Sequence, residues 1–212
     1  MSLFGRVIKY LFDRFAAALG LVVVGWLLLL IAMIIKLKMP DGPVIFKQLR
    51  VGRHGKLFKI HKFRTMYQEQ EGPSVAYPVE GRVTPLGDKL RRYKLDELPE
   101  LWDVLIGKMS FVGPRPDVPG YADKLEGEDR VVLEMRPGIT GPATLKYRHE
   151  EKLIEDFVKK AKEEGDSRSE LEIALWYNDT VIYPDKVRIN CDYYHHFNII
   201  IDLKILFLTV FG

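Results

Sequence analysis

The N-terminal part of the chain is dominated by apolar side chains. Residues 15–35 contain no charged residue, and a helix of about 20 apolar residues matches the roughly 30 Å hydrocarbon layer of a bilayer. A buried core helix is the alternative, but such a helix in a chain of this size normally has a polar face. A signal peptide has a shorter apolar region and a cleavage site of small residues. We therefore predict a membrane anchor at residues 1–39 and a folded domain at residues 40–212.

Basic residues flank this apolar segment on both sides. They are Arg6, Lys9 and Arg14 before it, and Lys36, Lys38, Lys47 and Arg50 after it. Cytoplasmic flanks are enriched in Lys and Arg, so a simple span would place one basic flank on the unfavourable side. A re-entrant helix that bends and returns keeps both flanks on one side. Gly20 and Gly25 permit such a bend, although glycine is also common in spanning helices. We predict the re-entrant form, with a span as the alternative.

The rest of the chain alternates between short extended runs and helical patterns. Residues 44–46 and 57–60 are extended and separated by a Gly-containing turn, which predicts a β-hairpin. Residues 69–81 are typical of a surface loop, and residues 95–107 and 150–172 have helical patterns. Residues 197–212 are apolar but include Asp202 and Lys204, which suits either an interfacial amphipathic helix or a core helix. The predicted class is α+β, mainly helical with a small hairpin.

Composition and charge narrow the classes of function. The 212 residues are 47% hydrophobic, with 32 basic and 29 acidic side chains and a net charge of only +3. This balance argues against a protein that coats nucleic acid, and we expect no nucleic-acid partner. The single cysteine, Cys191, excludes an internal disulfide and fits a reducing compartment.

The cations are concentrated in the predicted hairpin. No acidic residue occurs between Gly42 and Gln68, a stretch that contains seven basic residues: Lys47, Arg50, Arg53, Lys56, Lys59, Lys62 and Arg64. A solvated face or a contact with anionic lipid headgroups is the simplest interpretation. Alternation along β-structure places successive side chains on opposite faces, so we also expect the basic residues to share one face, as a phosphate site requires.

The predicted helix at residues 95–107 carries the clearest candidate chemistry. Asp96 and Glu97 lie in its first turn, and Arg91 and Arg92 precede that turn by a few residues. One interpretation is that Asp96 caps the helix and Glu97 favours its positive end. The other is a site in which a helix N-terminus and two arginines hold a phosphate against a carboxylate. Adjacent helical residues point about 100° apart, so we expect Asp96 and Glu97 to have separate roles.

Six segments together resemble one protein family. They are residues 9–13, 59–66, 95–99, 113–116, 136–141 and 202–204, and they extend over nearly the whole chain. In this order they are similar to the bacterial sugar transferase family, the monotopic phosphoglycosyl transferases.

The resemblance implies a reaction. A sugar 1-phosphate would pass from a UDP-sugar to polyprenol (undecaprenyl) phosphate, releasing UMP and starting the synthesis of a surface glycan such as a lipopolysaccharide or exopolysaccharide. It also implies location at the cytoplasmic face of the bacterial plasma membrane, in contact with membrane lipids. The oligomeric state stays open, with a homodimer as one option.

The resemblance also implies residue roles. Asp96 would be the nucleophile that forms a phosphosugar intermediate, in two displacements. Mg²⁺ would neutralise the diphosphate, with Asp96 as its protein ligand. Glu97 would assist as the second catalytic carboxylate. Phosphate-binding cations would be Lys62, Arg91, Arg115 and Arg136.

Two departures from the family pattern limit this transfer of roles. Gly25-Trp26 stands where a Ser-Pro pair often bends the membrane helix, and residues 142–147 lack the common glutamine, so the donor sugar cannot be inferred. The alternative function, from a different class, is a non-catalytic scaffold tethered to the membrane that uses its basic hairpin to bind anionic lipids.

Overall fold

The computed structural model describes residues 3–67 and 81–212, so the surface loop predicted at residues 69–81 lies outside the described residues except for Gly81. The described part is mainly helical with small β-elements, which confirms the predicted α+β class. The helices are α1 (Leu3–Lys38), α2 (Pro85–Arg92), α3 (Glu100–Leu105), α4 (Pro142–Lys146), α5 (Glu150–Glu163), α6 (Glu170–Tyr177), α7 (Tyr183–His195) and α8 (Ile199–Phe211). The strands are β1 (Ile45–Val51), β2 (Leu57–Phe63), β3 (Ser110–Val112) and β4 (Gly138–Thr140).

The predicted hairpin is formed by β1 and β2, which pair antiparallel with Phe46 opposite Lys62. The expected separation of basic and apolar residues onto opposite faces is wrong. Lys62 shares a strand face with Ile60, which is buried, whereas Lys59 shares the other face with the buried Phe63. Ile60 and Phe63 are buried in two different core clusters, so each face of β2 carries both a buried apolar side chain and a basic one.

A second pair of strands, β3 and β4, is parallel and depends on close approach between glycines. A Cβ atom on Gly138 would lie 2.2 Å from the Gly113 nitrogen, and one on Gly141 would lie 2.2 Å from the Gly113 carbonyl oxygen. Only glycine permits backbones to approach this closely. The turn that follows β3 therefore packs directly against both ends of β4.

The single helix predicted at residues 150–172 is wrong in its extent. Helix α5 ends at Glu163, and Gly165 takes a left-handed φ of 89°. Helix α6 then begins after Ser169, whose hydroxyl accepts a hydrogen bond from the Glu172 amide. This capping box starts a new helix, and the residues of α5 and α6 share one apolar cluster.

Helix α1 packs against the rest of the protein through both of its halves. Ala17, in the first half, belongs to a core cluster with Ile60 of β2 and Val104 of α3. Ile31 and Ile35, in the second half, pack in a cluster that includes Phe63 and Leu90. The domain therefore lies along the helix instead of contacting one end of it.

Buried polar contacts also fix the first half of α1. The Lys9 ammonium donates to Asp202 Oδ2 of α8 at 2.5 Å, and the Tyr193 hydroxyl donates to the other oxygen of Asp202. Asp13 accepts a hydrogen bond of 2.6 Å from the Ser110 hydroxyl of β3. Buried charges require such partners, because an unpaired charge in the interior is very costly.

The opposite face of α1 is apolar along its whole length. The exposed large side chains run from Leu3 and Phe4 through Trp26 to Leu37. Among the described residues, α1 is the one helix long and apolar enough to cross a membrane. An exposed apolar surface of this extent indicates contact with lipid.

The buried ion pair predicts a large effect on stability. We expect Lys9→Ala to lower the free energy of unfolding by about 3–5 kcal/mol, because it leaves the buried Asp202 carboxylate without its cation. Thermal unfolding in detergent measures this. Lys160→Ala is the matched control, since its pair with Glu164 is exposed (3.8 Å) and is expected to contribute less than about 1 kcal/mol. Equal melting temperatures for the two variants would contradict the prediction.

Candidate active site

Asp96 lies in a short turn between α2 and α3. Residues Leu95–Glu97 form a 3₁₀ turn, Leu98 and Pro99 stay in the helical region, and α3 follows. Lys94, just before the turn, has a left-handed φ of 55°, a conformation that is rare for a residue with a side chain. Such outliers cluster at functional sites. The predicted helix at residues 95–107 is therefore two elements, and neither has a side-chain cap, so the interpretation of Asp96 as a helix cap is wrong.

The Asp96 carboxyl group is buried, with 8% of the residue exposed, and its Oδ1 atom has no hydrogen-bond partner among the described residues. Burial raises the pKa of Asp96, and the nearby charge of Glu97 raises it further. Lys62, Arg91 and Lys94 act in the opposite direction and favour the carboxylate. A buried acceptor atom without a partner, next to several cations, is available to react with or bind a ligand.

Glu97 joins two of the predicted cations. Its Oε1 atom accepts from Lys62 Nζ at 2.6 Å and from Arg115 Nη2 at 2.7 Å. Burial alone would raise the pKa of Glu97, but Arg115 and Lys62 outweigh it and hold that pKa far below its usual range. Glu97 is therefore a fixed anion that orients a lysine from β2 and a half-exposed arginine from the turn after β3.

Glu100 is a third carboxyl group in this cluster. The residue is 1% exposed, and its Oε1 atom lies 3.1 Å from Lys62 Nζ without hydrogen-bonding geometry. Burial raises the pKa of Glu100 to about 7, with Lys62 opposing and the Glu97 charge adding to the shift. The sequence analysis missed Glu100, although its spacing of four residues from Asp96 places both on one side of a helical segment.

Arg91 is held by the segment that follows β2. Its Nε atom donates to Thr65 Oγ1 at 3.0 Å. Helix α2 approaches this segment so closely that a Cβ atom on Gly87 would lie 2.0 Å from the Thr65 carbonyl oxygen. The guanidinium group is therefore fixed at its Nε end, and its charge acts on Asp96.

A buried acid and a histidine align β2 with α3. Asp103 is fully buried, and its two oxygens contact the His61 backbone amide at 2.9 Å and the His61 Nδ1 atom at 2.8 Å. His61 directly precedes Lys62, so this contact fixes the position from which Lys62 reaches the two glutamates. The sequence analysis did not identify this pair, because the residues lie 42 positions apart and no local spacing relates them.

Arg136 lies apart from this cluster. Its guanidinium carbon is 3.8 Å from the centre of the Tyr10 ring of α1, and its backbone amide donates to the Tyr10 hydroxyl. Such stacking of a cation on an aromatic ring stabilises the contact between α1 and the domain. The structure thus brings together Asp96, Glu97, Lys62, Arg91 and Arg115, and not Arg136. A phosphate-binding role for Arg136 stays a prediction.

The Oδ1 atom of Asp96 is a candidate protein ligand for a divalent cation. No group of three or more His, Cys, Asp or Glu side chains with metal-binding geometry occurs in residues 3–67 and 81–212. Mg²⁺ commonly binds through one or two carboxylates together with substrate phosphates. The buried, unpartnered Oδ1 atom of Asp96 fits that mode, whereas the Oε1 atom of Glu97 is already bound by two cations.

Comparisons with known proteins identify the family of this chain. The chain matches the family model for bacterial sugar transferase over residues 4–212. It is 34% identical over 204 residues to the uncharacterized sugar transferase EpsL of Bacillus subtilis, which covers 96% of this chain and 86% of EpsL.

Two further relatives have names that state an activity. A UDP-glucose:undecaprenyl-phosphate glucose-1-phosphate transferase of Caulobacter vibrioides is 43% identical over 143 residues, covering 65% of this chain and 53% of that protein. An enzyme of the same name from Escherichia coli is 34% identical over 213 residues, covering 97% of this chain and 40% of that protein. The chain therefore spans about half the length of these two relatives.

The match over nearly the full chain includes α1, the basic hairpin and the Asp96–Glu97 turn. We conclude that this chain belongs to the bacterial sugar transferase family.

Proposed function

We propose that the protein transfers a sugar 1-phosphate from a UDP-sugar to undecaprenyl phosphate, the acceptor named for several relatives. The observation that carries this proposal is the buried Asp96 carboxyl group, which has an unpartnered oxygen and lies among Lys62, Arg91 and Lys94. A nucleophile for phosphoryl transfer needs a free oxygen, and the departing negative charge needs fixed cations nearby. The cluster supplies both.

The reaction proceeds in two displacements. An Asp96 oxygen attacks the phosphorus atom next to the sugar, the bond to the bridging oxygen breaks, and UMP leaves with its electron pair. The acceptor phosphate then attacks the same phosphorus atom, breaks the bond to Asp96 and restores the free carboxylate. Splitting one displacement into two lets a single site bind donor and acceptor in turn.

The cations have distinct positions in this mechanism. Lys62 and Arg115 are oriented by Glu97, and Arg91 is oriented by Thr65. Each would contact phosphate oxygens whose charge increases during transfer, and their orientation before binding reduces the cost of rearrangement. Mg²⁺, when bound through Asp96 and the diphosphate, would neutralise further charge on the phosphate oxygens.

One prediction on activity concerns the nucleophile. We expect Asp96→Asn to abolish UMP release from UDP-sugars, because the amide cannot form the covalent intermediate. The measurement is UMP production in the presence of undecaprenyl phosphate, with a screen of UDP-sugars. Asp88→Asn, an exposed acid in α2, is the control and keeps full activity. Undiminished turnover in Asp96→Asn would refute the mechanism, whereas no UMP release from the wild-type chain with any UDP-sugar would favour the lipid-binding scaffold.

Another prediction on activity concerns the phosphate contacts. Lys62→Ala and Arg91→Ala should each reduce kcat/KM by a factor of about 10 to 100, since a hydrogen bond to a charged group contributes about 1.5–3 kcal/mol. Lys59→Ala and Arg92→Ala are matched controls, because each is an exposed cation on the same element. Normal kinetics in both site variants would mean that the phosphates bind elsewhere.

We also propose that the protein lies on the cytoplasmic face of the plasma membrane with both ends of α1 on that side. The domain contacts both Lys9 and Ile35, which lie about 39 Å apart along a straight helix. In a simple span these contacts would fall on opposite sides of the roughly 30 Å hydrocarbon layer. The apolar outer face of α1 supports immersion along its length in place of a crossing.

Cysteine labelling tests this topology. In a Cys191→Ser background, we expect Ser2→Cys and Asp41→Cys to react with a membrane-impermeant maleimide only after the cells are permeabilised, because both positions face the cytoplasm. A cysteine placed in a known periplasmic protein serves as the positive control for labelling in intact cells. Reaction of Ser2→Cys alone in intact cells would indicate a spanning helix.

A further inference from the structure

The turn at residues 113–117 carries Arg115, a partly exposed cation of the site. The Arg115 side chain is 46% exposed and is bound to Glu97 through Nη2 alone. A long exposed side chain contacts a ligand reproducibly only if its backbone is fixed, because its own rotamers are costly to order. On one side, Gly113 and Pro114 are held by backbone hydrogen bonds to β4.

Strand β1 holds the other side of this turn. The Val51 amide donates to the Asp117 carbonyl oxygen at 2.8 Å. The Arg50 Nη1 atom donates to the Pro116 carbonyl oxygen at 3.1 Å. Pro116 and Asp117 are therefore both hydrogen-bonded to β1. Pro116 is bound by the Arg50 side chain, and Asp117 is bound by a backbone amide.

Arg50 is itself locked by its neighbour on the same strand face. Gln48 Oε1 accepts from Arg50 Nη2 at 2.6 Å and from Arg50 Nε at 3.1 Å. The guanidinium group is planar, so binding Nε and Nη2 on one edge fixes the direction of Nη1 on the other. Gln48 and Arg50 also lie on the strand face that carries Phe46 and, across the hairpin, Lys62.

The charges around Arg50 connect it to the site. It lies among Arg115, Asp117, Glu100 and Glu97, and burial together with Arg115 lowers the pKa of Arg50. Two guanidinium groups held close together repel each other, and such an arrangement favours an anionic ligand. The contact between Arg50 and Pro116 thus places the positive charge of Arg50 beside Arg115.

We propose that Gln48 and Arg50 are a positioning pair that fixes the Arg115 turn for contact with the diphosphate of the donor. The inference rests on the proposed function, because Arg115 must contact phosphate for its position to matter. It adds a role for two residues of β1 that do not touch the reacting atoms themselves.

A double-mutant cycle on UDP binding tests the proposal. UDP is the probe, because it contains the diphosphate common to UDP-sugar donors, and its affinity is measured by calorimetry on the full chain with magnesium present. Arg50→Ala and Arg115→Lys should each weaken UDP binding about tenfold, since each loses part of a charge-assisted contact. The UDP affinity of the double variant should equal that of the single variant that binds UDP more weakly, because Arg50 acts through Arg115.

Two further variants separate charge, orientation and folding. Arg50→Lys keeps the charge but lacks the planar guanidinium that binds Gln48 along one edge and Pro116 along the other, so we expect the same loss as in Arg50→Ala. Arg53→Ala is the matched control: Arg53 also donates to a backbone carbonyl oxygen, that of Glu134 at 2.9 Å, but it lies outside the cluster. It should change the melting temperature without changing UDP affinity. If Arg50→Ala does not fold, Arg50→Lys decides the test.

The outcomes distinguish this inference from the proposed function. Normal UDP binding in Arg50→Lys, or losses that add fully in the double variant, would overturn the positioning role while leaving the proposed reaction intact. Absence of UDP binding to the wild-type chain, or normal binding in Arg115→Lys, would instead count against the proposed role of Arg115, and the inference would fall with it.

Discussion

The ammonium group of Lys62 is the contact on which the candidate site depends. It reaches from β2 to Glu97 at 2.6 Å and lies 3.1 Å from Glu100, so it joins the hairpin to the turn and helix that carry Asp96. Without a cation here, two buried carboxylates would face each other, which is unfavourable in an interior of low dielectric. Arg115 neutralises Glu97 from the other side, and the His61–Asp103 contact fixes the strand position from which Lys62 extends. The geometry around Asp96 is thus set by ion pairs between neighbouring side chains.

Helix α1 helps to position the candidate site relative to the membrane. Helix α1 packs on α3, and Leu101 of α3 lies next to Gly20, where an added Cβ atom would be 3.7 Å away. The turn that bears Asp96 directly precedes α3, so the depth of α1 in lipid also sets the depth of the candidate nucleophile. An acceptor whose phosphate lies at the headgroup level and whose chain lies in the hydrocarbon matches this arrangement.

The sequence predicted the elements better than their contacts. The uncharged run predicted α1, because the length of an apolar segment is a local property of the sequence. The Asp96–Glu97 motif could be found because its residues are adjacent in the chain. The predicted division of β2 into a basic and an apolar face was wrong, because each of its faces packs on a different core cluster. The helix at residues 150–172 was wrong, because a left-handed glycine and a capping box interrupt a continuous pattern. Arg50, Glu100 and Asp103 were missed as site residues, since their importance arises from partners that only the fold brings close.

The ion pair between Lys9 and Asp202 joins residues 193 positions apart in the chain. During synthesis, α1 emerges well before its partner carboxylate, because Asp202 follows Lys9 by 193 positions. The newly made helix must therefore wait in the bilayer with the Lys9 charge kept near water by its flexible stem. This contact between the anchor and the domain consequently forms only after α8 has been synthesised, and a chain truncated before α8 would lack it.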